Sequence, residues 1–458
     1  MEIIEKVNAA VNGVVWGPIM LALLILMGLF LSGATKFLQF RKFFYMVKNT
    51  IGSVFSKNQH EKTASGVSPF QAVATAMAGT IGTGSIAGVA TAIVSGGPGA
   101  IFWMWISALL GMVTKYAEIV LSLRYREKNA KGEWVGGPMY YISKGLGGKF
   151  SKVLAVLFAI FAMLACLGTG NATQSNSIAI ALESTFNVSP WITGIVLTVI
   201  AACVILGGVR RIASVNEKLV PFMAVFYVLC AVLAVILSYD KIPATFALIF
   251  REAFNFRAGV GGVAGYGIMT AMHYGFSRGV FSNEAGLGSA PIAHAASSTN
   301  SPVKQGLWGM FEVFFTTIII CTLSGIVVLS SGLWSTGEFK GSALSIAAFD
   351  SALPVSGIGS IGVTIATIFF ALSTILGWAY YGEVSVQYLT KKSNVAVWVY
   401  RVIYVAMVFV GTIGNLDLIW SISETMNGLM IIPNMIGIIG LYKVVVSVTK
   451  EHFSSLQK

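Results

Sequence analysis

The sequence predicts an all-α membrane protein with eleven transmembrane helices, and three observations lead there. Of 458 residues, 56% are hydrophobic and 10% charged, with a mean hydropathy of +0.79. A soluble domain carries about 25% charged residues. Apolar runs of bilayer-spanning length, roughly 20 residues, recur from one end of the chain to the other. Most of the basic residues fall between those runs, on one side of the expected membrane.

Run length and Gly, Pro or charged punctuation place spans near 16–35, 69–95, 99–123, 153–182, 190–208, 219–238, 262–295, 305–330, 358–388, 396–413 and 415–441. One set of alternate loops, with the C-terminal tail, holds 23 of the 30 Lys and Arg residues. By the bias of basic loops toward the cytoplasm, that side is cytoplasmic, the N-terminus outside and the C-terminus inside. No small-residue cleavage site follows a basic region near the start, so the first span is expected to persist. Setting aside 16–35 leaves ten spans, which divide into 69–238 and 262–441. Five is odd, so the halves enter the membrane from opposite sides as a 5+5 inverted repeat, joined around 240–262.

Two spans are interrupted. The first span of the first half carries "GTIGTG" at 79–84, and that of the second half carries "HYGFSRGVFSNEAGLG" at 273–288. Glycine weakens a helix by roughly 1 kcal/mol relative to alanine, and unwound backbone survives in a bilayer only where protein, a cavity or a ligand satisfies it. Breaks at matched places in two halves point to a transporter's binding site. Half-helix N-termini offer amides to a carboxylate, and C-termini offer carbonyls to a cation. Gly84 and Gly88 also fit a helix-packing pattern. Gly82-x-Gly84 has no preceding strand, which excludes a dinucleotide fold.

Polar and charged residues within the spans mark further candidates. "GTGNATQSNS" at 168–177 places Asn171 and Gln174 three apart on one helical face, to line a site or to join helices. Intramembrane charge is costly and commonly functional. Lys115 and Glu118 read as an ion pair, while Arg278 has Glu284 six residues on as one partner. Glu312, Glu383 and Glu424 receive no role. Neither break is read as carrying an acid at its centre, which speaks against proton coupling through His273 or a glutamate.

Several function classes are excluded. Basic residues confined to loops do not indicate nucleic acid. Cys166, Cys203, Cys230 and Cys321 lie in apolar runs without metal-ligand spacing. No HExxH, P-loop, intramembrane Asp pair or Ser–His arrangement supports an enzyme, and a channel fits two mid-membrane breaks less well than occlusion does.

"GGPGAIFWMWISALLG" at 96–111, "AGTIGTGSIAGVA" at 78–90 and "YGFSRGVFSNEAGLGSAPIAHAAS" at 274–297 resemble the alanine or glycine:cation symporters, also called sodium:alanine symporters. The resemblance covers essentially the whole chain. It implies a LeuT-type fold of ten core helices preceded by one extra helix, with sodium as coupling ion, no organic cofactor, and a small neutral amino acid as substrate. It implies a substrate carboxylate near Thr80, Gly82, Thr83 and Gly84. Carbonyls from Met272 to Ser277, including Tyr274 and Phe276, would face the ammonium group, with Asn171 and Gln174 alongside. The sodium site would join Gly79 and Gly82 to Ala371, Ser373 and Thr374 of "FFALST" at 369–374. Trp378, one turn beyond Thr374, is a candidate pocket wall. Uptake by alternating access, driven by sodium, is the expected mechanism, with proton coupling as the alternative. The sequence assigns no oligomeric state.

Overall fold

The computed structural model describes residues 2–54, 67–255, 266–391, 393–414 and 417–456. The starts of the expected spans at 262 and 415, the end of the 36–66 loop, Arg257 and Lys392 lie outside the described residues. Among the described residues, eight helices are long and apolar enough to cross a membrane.

The chain begins with α1 (Glu2–Val15) and α2 (Pro18–Ala34), separated at Trp16–Gly17, where Pro18 restarts the helix at its first position. After the short α3 (Phe43–Asn49) comes α4 (Pro69–Thr80), started by a capping box in which Ser68 and Gln71 satisfy each other's backbone amides. It is followed by α5 (Ala87–Gly96) and the deeply buried α6 (Ala100–Tyr125). A two-residue antiparallel ladder pairs Glu127–Lys128 with Trp134–Val135, a small exception to the all-α expectation.

Next come α7 (Gly148–Phe186), α8 (Pro190–Ile205), α9 (Gly208–Leu237) and α10 (Ile242–Ala253). Helix α9 starts well before the expected 219, at a stretch carrying Arg210, Arg211, Glu217 and Lys218. Hydropathy marks the apolar part of a helix and not its end. The expected join at 240–262 contains α10.

The second half opens with α11 (Tyr266–Asn283) and α12 (Ala290–Ala295). There follow α13 (Pro302–Ser331), α14 (Gly341–Ala352), α15 (Ile358–Leu389), α16 (Asn394–Ile413), α17 (Asp417–Leu429) and α18 (Ile431–Ser455). Helix α6 packs against α11 and α13, while α15 packs against α4, α7 and α9. These contacts enclose the two interrupted stretches. Helix α8 lies outermost, with Trp191, Ile195 and Val199 more than half exposed, as suits a face toward lipid. The segments flanking the breaks are also tied directly, where Ser298 donates its amide to the Val67 carbonyl at 2.9 Å.

A candidate substrate and ion site between two broken helices

The first break lies where the sequence puts it. Helix α4 ends at Thr80, Gly82 is extended, and one tight turn at Thr83–Ser85 precedes α5. The freed carbonyls are served by neighbouring side chains: the Ser324 hydroxyl donates to Ser85 at 2.8 Å and the Ser345 hydroxyl to Ile86 at 3.1 Å. Gly82 is required by proximity, because a Cβ there would come within 2.6 Å of Thr374 Oγ1.

The second break is shorter than expected and lies further along. Residues 273–283 are helical, and the chain unwinds only between α11 and α12, where Glu284, Gly286 and Gly288 all have positive φ. Gly275 and Gly279 instead bring α11 close to α6: a Cβ at Gly275 would sit 2.5 Å from the Ala100 carbonyl, and one at Gly279 would lie 2.8 Å from Ser107 Oγ. Small residues four apart serve packing here. The residues expected to offer carbonyl acceptors, Met272, Tyr274, Phe276 and Ser277, therefore lie in continuous helix, where helical bonds engage their carbonyls. Tyr274 and Ser277 line a separate cavity of about 200 Å3 with Asn12, Trp16, Arg278 and Glu424. Phe276 turns toward Leu110 and Gly111 of α6.

At the breaks themselves is a narrow space of about 20 Å3, bordered by Gly79, Thr80, Gly82, Gly84, Gln174, Glu284, Thr374 and Trp378, together with Thr169, Phe281 and Asn427. Thr83 adjoins it by donating to Gln174 Oε1 at 3.0 Å. Phe281 also borders the 200 Å3 cavity and so stands between the two spaces. Asn171 points elsewhere, its amide bonded to the Tyr404 carbonyl at 2.6 Å. The i,i+3 expectation fails because Gly168–Ala172 is a π-helical turn, which changes the angular spacing of an α-helix. Gly170 admits the Trp378 side chain, since a Cβ there would lie 2.3 Å from it.

Four neutral oxygens converge beside this space. Thr374 Oγ1 lies 2.9 Å from the Ala78 carbonyl and 2.8 Å from that of Phe370, while Ser373 Oγ lies 2.9 Å from Phe370 O and 3.4 Å from Ala78 O. Ser373 and Thr374 are thus brought to the end of α4 as expected. The carbonyls that meet them belong to Ala78 and Phe370, one residue before the expected Gly79 and Ala371. The Gly82 carbonyl turns to its own loop, where it accepts the Ser85 amide at 3.1 Å. Ala371 and Phe370 both lie inside α15, and it is the Phe370 carbonyl that the two hydroxyls meet. An uncharged oxygen set suits a hard alkali cation, and the carbonyl end of α4 adds its dipole.

The buried charges are organised differently from the sequence reading. Lys115 pairs with Glu312 at 3.1 Å, not with Glu118, and donates to the Asn283 carbonyl at 2.7 Å and toward Thr80 Oγ1 at 3.5 Å. It thereby ties together the ends of α4 and α11. Thr80 also bonds Glu312, whose other oxygen meets His294 Nε2 at 3.2 Å. Glu118 accepts the Gly286 amide at 3.0 Å and the Asn434 amide at 2.6 Å, holding the second break open. Arg278 pairs with Glu424 at 2.9 Å and Arg401 with Glu383 at 2.8 Å. All three glutamates left without a role are ion-pair partners, Glu312 and Glu424 far from their cations in sequence and Glu383 one helix away from its own.

Glu284 sits at the centre of the second break, contrary to the expectation that neither break carries an acid there. Its Oε1 accepts Trp378 Nε1 at 3.0 Å and its Oε2 the Ser289 hydroxyl at 2.6 Å. Beyond the break, Arg126 gathers the carbonyls of Ala295, Ser297 and Thr299. Burial pushes its guanidinium down to about 10.

The model of the sodium:alanine symporter family fits residues 1–458. The chain belongs to the sodium:alanine symporter family. It is 46% identical to the sodium/alanine symporter AgcS of Methanococcus maripaludis, covering 100% of this chain and 99% of that one. YrbD of Bacillus subtilis, whose name proposes a sodium/proton-dependent alanine carrier, is 37% identical, with 97% and 91% covered. Among solved structures, MhsT in complex with L-phenylalanine superposes with a TM-score of 0.59 at 14% identity, covering 86% of this chain and 100% of that one. The fold of this family member is thus that of the LeuT-type transporters. It is a transporter and not an enzyme.

Proposed function

We propose that this family member is a secondary active transporter that carries a small neutral amino acid, alanine or glycine, into the cell with sodium by alternating access. The observation that carries this reading is the convergence of both breaks on one narrow space beside four neutral oxygens. Sodium would lie among Ala78 O, Phe370 O, Ser373 Oγ and Thr374 Oγ1. The substrate carboxylate would meet the backbone around Gly82–Gly84 near the start of α5, and its amino group the Glu284 carboxylate. The Asn283 carbonyl, which ends α11, is already taken by Lys115. Trp378 and Gln174 would close the pocket around a short side chain.

The architecture we infer is eleven spans: the extra helix at 16–35, then two five-helix units, 69–238 and 262–441, of opposite orientation. A broken first helix in each unit supports it. The bias of basic residues supports an N-terminus outside and a C-terminus in the cytoplasm. One positive charge moving down a membrane potential releases about 2.3 kcal/mol per 100 mV. At about 1.4 kcal/mol per decade, that concentrates substrate roughly fiftyfold before sodium's own gradient is counted.

Glu284 favours a second reading, in which a proton accompanies or replaces sodium. Uptake of labelled alanine into liposomes containing the purified protein tests both. Accumulation under an inward sodium gradient, lost in choline, supports sodium symport. Accumulation that needs only an inward proton gradient, and is lost in Glu284→Gln, supports the second reading. Failure of every cation gradient to drive alanine or glycine overturns both.

A further inference from the structure

A cavity of about 370 Å3 lies away from the breaks, where the end of α2 meets the far end of α18. Lys36, Arg41, Lys42 and Lys450 line it, and no carboxylate does. None of the four has an ion-pair partner among the described residues, whereas Lys144, Arg210, Arg251, Arg278 and Arg401 each have one. Lys42 Nζ is held 4.7 Å above the Phe453 ring. Lys36 and Phe37 both have positive φ, so the chain turns sharply and carries the basic side chains around one hollow.

Four unneutralised cations around one cavity form an anion site, and the surroundings say which anion. Phe37, Phe40 and Phe44 are 53%, 56% and 86% exposed beside it. Below it on α2, Leu26, Leu29 and Phe30 are also exposed, and Phe30 packs edge-on against Tyr442 of α18. A charged hollow at the end of an apolar helix, with exposed phenylalanines on the segment that carries Lys36, Arg41 and Lys42, fits a phosphate with acyl chains attached better than a free phosphate. Basic pockets beside transmembrane helices bind anionic headgroups. We propose that this cavity is a binding site for the phosphate headgroup of an anionic phospholipid, whose chains lie along α2.

Native mass spectrometry of the purified full chain, with phosphatidylglycerol or phosphatidylcholine of identical chains added, tests the assignment. The wild type should retain phosphatidylglycerol preferentially. Lys36→Gln/Arg41→Gln/Lys42→Gln should lose that preference, by roughly fivefold per charge removed. The charge-preserving Lys36→Arg/Arg41→Lys/Lys42→Arg should keep it, and the single variant Lys450→Gln gives an independent reading should the triple variant not fold. Neutralising Lys149 and Lys152 should change nothing. Equal retention of the two lipids, an unchanged preference in the neutral variants, or an equal loss in the Lys149/Lys152 variant would overturn the proposal. Displacement of the lipid by excess inorganic phosphate would assign the cavity to a free anion instead.

Discussion

At the scale of single residues, the ion and substrate sites make separable demands. Thr374 Oγ1 is one of four clustered oxygens, so Thr374→Ala removes a ligand while leaving Gln174, Glu284 and Trp378 in the pocket lining. Its half-saturating sodium concentration should rise about tenfold, equivalent to about 1.4 kcal/mol, with a smaller change for alanine. Thr374→Ser should restore most of it, as measured by initial uptake rates against sodium. Trp378 answers for the other demand. Its ring fills the space Gly170 leaves and reaches Glu284. Trp378→Ala should admit larger side chains, so that leucine competes with labelled alanine roughly tenfold better than in the wild type. An unchanged ranking of competitors would remove Trp378 from the pocket wall.

At the scale of elements, the two breaks differ in how they were legible. The first is written in its own residues, because "GTIGTG" has Ile81 as its one bulky apolar side chain and the chain leaves the helix within it, after Thr80. The second is misread from glycine alone, since Gly275 and Gly279 are there for close packing on α6 and the true break begins at Glu284. The ties that hold the breaks are not legible at all. Lys115 finds Glu312, almost two hundred residues away in sequence, and no local pattern announces that pairing. Breaking a buried pair from one side leaves an uncompensated charge and costs about 3–5 kcal/mol. Lys115→Met should therefore lower the thermal unfolding midpoint of the solubilised protein sharply, and Lys115→Met/Glu312→Gln should recover part of the loss. Equal stability of the single and double variants would show that Glu312 is not the partner that matters. Arg401 and Glu383 make a second such tie, joining α15 to α16.

At the scale of the whole molecule, membrane class and the polar contents of the spans followed from composition and run length. The joins between distant helices did not. The most consequential of these is in the lining of the 200 Å3 cavity, where Arg278 of α11 meets Glu424 of α17 and Phe281 separates that cavity from the inner space. If these helices must part for substrate to pass, a covalent bond between them stops the cycle. Arg278→Cys/Glu424→Cys should transport when reduced and stop when oxidised, each single variant being indifferent to oxidant. Continued uptake by the oxidised, cross-linked protein would place the entry route elsewhere.

Helix α1 has a part in that cavity's lining, through Asn12. Asn8 bonds Ser421 at 2.6 Å, Asn12 bonds Thr425 at 3.0 Å, and Trp16 bonds the Glu424 carbonyl at 3.0 Å, so the first helix rides on α17 along the cavity wall. Its opposite face, with Ile3, Val7 and Val14, is exposed. A binder raised against that face would grip a handle attached to α17. It would act as a non-competitive inhibitor, one that no excess of amino acid relieves.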